Sequence, residues 1–224
     1  MKQLFSEIFT LVKKDFLLEF RQRSALNSIL LYVFSTVFVC YLSFSLVAMQ
    51  LNPITWNTLF WIILLFSAIN TIAKSFVQES DGQYYFYYSL VSPQVMILAK
   101  ILYNALLMIV TAIFALIIFI LVMGNPVQDL ALFIGNLILG AIGFAVSLTL
   151  IAGVAIKANK STGLMAILGF PIIIPMILML IKVSKNAVDG LDRSVSYDEI
   201  LTIFAINLIV VTVSYILFPY LWRS

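Results

Sequence analysis

The side chains best suited to chemistry in this 224-residue chain gather in one stretch, KSFVQESDGQYYFYYSLVSPQVMILAK, residues 74–100. Glu79 and Asp81 sit beside Gly82, the aromatics Tyr84, Tyr85, Phe86, Tyr87 and Tyr88 follow, and Ser92-Pro93 precedes Lys100. Acids, a glycine and a tyrosine run make a contact surface rather than a catalytic centre, because tyrosine rings suit the membrane interface while carboxylates stay in water. The pattern serves for a short headgroup-level helix that receives a push from a partner, or for an ordinary loop bearing an aromatic belt. The chain has no histidine, which removes together the commonest general base, metal ligand and proximal haem ligand. Its single cysteine, Cys40, excludes an intrachain disulfide and any paired-cysteine metal or haem-attachment motif; inside an apolar segment it reads as a small core residue. The sequence contains no GxxxxGK[ST] phosphate cradle. Work done by this chain therefore draws its energy from a partner.

The elements that must position these residues are membrane helices. With 63% hydrophobic and 10% charged residues, the composition lies far from the soluble average of about a quarter charged. A net charge of +3 without a long basic run leaves no footprint for nucleic acid. Six apolar segments, 26–48, 54–73, 99–123, 130–156, 162–181 and 200–221, each approach or exceed the roughly 20 residues that cross the hydrocarbon. The reading is an all-α integral membrane protein of one domain, with an amphipathic helix at 1–24, a six-helix region at 26–221 and a polar element at 74–98. Six crossings leave both ends on one side. With those ends cytoplasmic, ten of the thirteen basic residues lie inside and only Lys182, Lys185 and Arg193 outside, as the positive-inside rule requires.

Residues 3–23 repeat apolar side chains at helical spacing, placing Phe5, Phe9, Val12, Phe16 and Phe20 on one stripe, with Lys13, Lys14, Glu19, Arg21 and Arg23 elsewhere. Such a helix lies on the bilayer, or packs on another subunit through the same stripe. Acids and bases interrupt it, so it is not a secretory signal. Asn52-Pro53 and Gly124-Asn125-Pro126 mark tight outer turns, and 182–199 reads as a longer acidic outer link. Gly135, Gly140, Gly143 and Gly153 read as helix-packing positions. Pro171 and Pro175, one turn apart in an apolar segment, predict a kink or break, either static or a moving part. The charged positions Lys74, Lys100, Lys157 and Lys182 all fall at segment ends in this reading, which disfavours an ion-coupled carrier.

Three motifs carry a resemblance. F-V-Q-E-S-D-G at 76–82, Y-Y-S-L-V-S-P at 87–93 with Lys100 following, and L-G-F-P-I-I-I-P at 168–175 are similar to the Glu-Gly-Leu-x-Ser-Pro and Pro-x-x-x-Pro signatures of the CcmB family, haem exporter protein B, among ABC-2 type permeases. Asp81 before Gly82 and the tyrosine density depart from the commonest pattern. The resemblance implies a multi-pass permease subunit of the bacterial cytoplasmic (inner) membrane with no nucleotide site or directly bound cofactor. It implies that ATP is used by a partner CcmA-like ATPase, and that CcmC-like and CcmD-like membrane subunits and a CcmE-like haem chaperone are partners. Glu79, Asp81 and Gly82 would form the coupling element the ATPase moves. The task implied is cytochrome c maturation, either by haem export or by release of the haem-loaded chaperone. A homodimer or an equivalent heteromer would enclose the path. Alternatives are an ABC-2 permease for lipid, polysaccharide or drug, and a membrane scaffold without transport.

Overall fold

The computed structural model describes residues 2–22, 24–46, 51–77, 91–157 and 162–223. Among them the chain forms α1 (Lys2–Gln22), α2 (Ser24–Leu46), α3 (Pro53–Val77), α4 (Pro93–Met123), α5 (Leu130–Lys157), α6 (Thr162–Asp189), a short 3-10 turn (Arg193–Ser196) and α7 (Tyr197–Arg223). Helices α2 to α7 are long and apolar enough to cross a bilayer, and no strand occurs among the described residues. The chain is an all-α, multi-pass membrane protein.

Local chemistry sets the boundaries. Pro93 opens α4 at the first helical position, where its missing N–H is an orphan donor in any case. Asn52 caps α3 by accepting from the Ile54 amide at 3.0 Å, and Asp129 caps α5 by accepting from Leu132 at 3.1 Å. Gly124, at φ 81°, turns the chain out of α4 while its N–H still donates to the Ile120 carbonyl at 3.0 Å.

Helix α5 is the most enclosed element and packs on α3, α4, α6 and α7, whereas α2 and α7 expose most of their surface. Its glycines explain the close approach. A Cβ on Gly140 would stand 2.8 Å from the Trp61 ring, and one on Gly143 would stand 2.5 Å from Met176 Sδ. Gly153 lies similarly close to Phe218, while Gly135 has open space. In lipid, where no hydrophobic drive joins helices, such contact is the main source of association. Toward the end bearing the short turns, Trp56, Phe60, Trp61, Phe119 and Phe133 form a buried aromatic cluster. Trp56 Nε1 donates to the Gly124 carbonyl at 3.1 Å, so the α2–α3 and α4–α5 connections lie together.

Helix α6 runs through Pro171 and Pro175 without interruption. Both prolines are on its exposed side, where their rings and missing donors do not disturb the Ile173, Met176 and Leu180 packing face. The link read as 182–199 is corrected: α6 continues to Asp189, leaving 190–196 between helices. The charges that suggest a helix end are matched locally. Lys182 pairs with Glu199 and Lys185 with Asp189, while Val183, Ser184, Ala187 and Val188 stay buried on the same helix.

Candidate coupling site

The polar stretch is shorter than its sequence suggests. Helix α3 extends to Val77 and α4 starts at Pro93, so the intervening residues link two long helices. Glu79, Asp81 and Gly82, with the tyrosine run at 84–88, lie outside the described residues, as does the Phe20 side chain.

Lys100 is corrected from a segment end to a helix interior. It lies seven residues into α4, about 10 Å along the axis at 1.5 Å per residue, and only 4% of it is exposed. A buried ammonium requires a partner. Lys100 Nζ lies 3.2 Å from Asp15 Oδ2 on α1, and Lys14 Nζ lies 2.9 Å from Asp15 Oδ1. Glu19, one turn further along α1, is also buried.

The face α1 turns to the bundle is therefore not the phenylalanine stripe. Ile8, Leu11, Val12, Asp15 and Glu19 are buried, whereas Phe5 and Phe9 are exposed. Phe16 sits at the boundary, its ring edge-on to Tyr103 of α4 with centroids 5.1 Å apart. The helix thus has two apolar strips side by side: one packs mainly on α4, and the other leaves Phe5 and Phe9 exposed. The sequence pattern singles out neither Asp15 nor Tyr103, and places Glu19 only as a charged position off the phenylalanine stripe. Asp15 and Glu19 share a face at four-residue spacing with Leu11, and a lysine inside an apolar helix implies an acid elsewhere. That was the available signal. Replacing one member of a buried pair leaves the other uncompensated, at a cost of about 3–5 kcal/mol.

The bundle interior holds neutral polar groups. Ser184 Oγ accepts from Trp61 Nε1 at 2.9 Å and from Asn136 Nδ2 at 2.8 Å. Asn104 Nδ2 donates to Thr149 Oγ1, and Asn207 Nδ2 to the Leu139 carbonyl. These bonds tie helices together without a titrating group. A cavity of about 200 Å³ between α2 and α3 is lined by Ser28, Ile29, Tyr32, Ser67 and Asn70, whose hydroxyls and amide suit hydrogen bonding rather than acid–base work at neutral pH. Among the described residues, no group of three or more histidine, cysteine, aspartate or glutamate side chains is placed to hold a metal.

At the opposite end Arg193 forks onto Asp129, with Nε to Oδ2 at 2.6 Å and Nη2 to Oδ1 at 2.9 Å. That guanidinium, with the Leu132 amide, holds the Asp129 carboxyl below the usual carboxylate range. Asp192, accepting from the Ser194 amide, is lowered likewise. The Gln128 and Asp129 amides also donate to the Ala187 carbonyl, joining the two turns.

Six helices long and apolar enough to cross a bilayer, with a further helix packed against them, define a multi-pass membrane protein. The chain matches the CcmB protein family over residues 6–220 and belongs to it. It is accordingly a membrane subunit of an ABC transporter of haem export and cytochrome c maturation, within a complex that includes an ATPase and other membrane subunits. Comparison with curated proteins and with solved structures gave no match.

Proposed function

We propose that the chain, acting as a single membrane domain, couples a CcmA-like ATPase to the cytochrome c maturation cycle through residues 78–92. The carrying observation is the family match across 6–220. Its support in the fold is that α3 ends at Val77 and α4 starts at Pro93, so the segment joins two long helices directly. Glu79, Asp81 and Gly82 are the contact residues for the ATPase. Counted over six crossings, ten of the thirteen basic residues fall on the side of the termini, which by the positive-inside rule supports cytoplasmic termini and a cytoplasmic coupling segment in a bacterial inner membrane. Phe5, Phe9, Phe16 and Phe20 seat α1 in the acyl boundary, and the proline pair Pro171 and Pro175 marks α6 as the span that adjusts during the cycle. Two copies, or one with a CcmC-like or CcmD-like subunit, enclose the path. Replacing 79–82 with a Gly-Ser linker abolishes co-purification of the ATPase while the chain still inserts; retained binding would overturn the assignment.

Between haem export and release of a haem-loaded CcmE-like chaperone, the absence of histidine favours release, because a path for free haem calls for axial ligands. Cells whose ATPase cannot hydrolyse ATP then accumulate haem-loaded chaperone. Unloaded chaperone in those cells points to haem translocation instead.

A further inference from the structure

Two observations about α1 remain unexplained by membrane seating. A helix that only lay on the bilayer would keep its acids in water, yet Asp15 and Glu19 face the protein and are buried. A contact selected for stability alone would be apolar, since a buried ion pair seldom outperforms hydrophobic side chains of the same shape. What a charged pair adds to an apolar contact is register. Ile8, Leu11 and Val12 belong to one apolar cluster with Val95, Met96 and Ala99, and such a surface tolerates sliding. The Asp15–Lys100 contact at 3.2 Å does not, because a shift of one residue turns a helix by about 100° and takes the carboxylate off the ammonium.

The position of the pair matters as much as its chemistry. Lys100 sits about two turns into α4, the helix that follows residues 78–92, and α1 reaches the bundle mainly through α4. We propose that Asp15 and Lys100 are positioning residues that lock α1 to the first turns of α4, so that a displacement delivered at 78–92 carries α1 with it as one body. This rests on the coupling role assigned above to that segment.

The test uses the complete complex with its ATPase in lipid nanodiscs, a Cys40→Ala background, and spin labels at exposed positions. One pair, Thr10 and Leu102, spans α1 to α4; a second, Leu102 and Phe66, spans α4 to α3. In the native sequence the second distance changes between nucleotide-free and nucleotide-bound complex while the first stays fixed. Asp15→Asn retains the ATPase but lets the first distance vary, and lowers covalent c-type cytochrome formed in cells by about tenfold, within the usual range of coupling factors. Asp15→Glu, which keeps the carboxylate, restores both readouts, which a mere loss of folding would not explain. The proposal is overturned if the Thr10–Leu102 distance changes with nucleotide in the native sequence, or if Asp15→Asn couples fully. It is also overturned if Asp15→Glu assembles with the ATPase yet stays uncoupled. A fixed Leu102–Phe66 distance would instead defeat the coupling role of 78–92, so the two failures are read on different labels.

Discussion

At the end that carries α1, charged side chains are buried against each other, Lys100 at 4% and Asp15 at 8% exposure. At the opposite end the cationic partners lie in the open, Lys182, Lys185 and Arg193 all exposed, and closure is made by capped turns and a cluster of aromatic rings. The difference concerns direction. Rings and glycines hold helices by shape, which survives small rotations and needs no counter-charge. A buried pair holds them at one register, and its partners cannot be removed singly. The end that meets the ATPase in our reading is thus the end where register is enforced.

The sharpest way to break this contrast is Lys100→Met. It leaves Asp15 buried without the ammonium at 3.2 Å, and thermal unfolding in detergent should show a loss of about 3–5 kcal/mol. Joint replacement of Asp15 and Lys100 by leucine should cost little or even stabilise by about 1–4 kcal/mol. Equal losses in both variants would deny the pairing. The shape-held region is tested next by Gly140→Val, whose side chain meets the Trp61 ring; overpacking of this kind costs about 1–3 kcal/mol. Gly135→Ala on the same helix meets nothing within 4 Å, and by helix propensity should stabilise by about 0.5–1 kcal/mol.

The smallest effect belongs to the exposed pair at the far turns. Asp129 is depressed by its bonds to Arg193 and Leu132, so its contribution is complete above the ordinary carboxylate pKa of about 3.9. It disappears as pH falls through the lower folded value. Melting temperatures of the native chain and Asp129→Asn should differ slightly at neutral pH and converge below pH ~4. Added salt should shrink the difference as well. A gap that widens on acidification would reverse the sign of the argument.

The sequence by itself determined the number of crossings, because about 20 apolar residues have one comfortable place in a bilayer. It also placed the tight turns at Asn52-Pro53 and Gly124-Asn125-Pro126, where backbone chemistry is local. The packing role of Gly140 and Gly143 was legible for the same reason, since small side chains at helical spacing have few other uses in lipid. Charge was what misled. Lys100 and Lys182 were taken to end their helices, because a charged residue in isolation belongs near water. Only the tertiary structure decides that a charge has a partner, since Asp15 lies 85 positions before Lys100 in the chain and no local pattern joins them. The face of α1 is decided in the same way: a repeat of phenylalanines shows that a helix has an apolar side, but what that side meets, lipid or protein, depends on a neighbour the repeat does not contain.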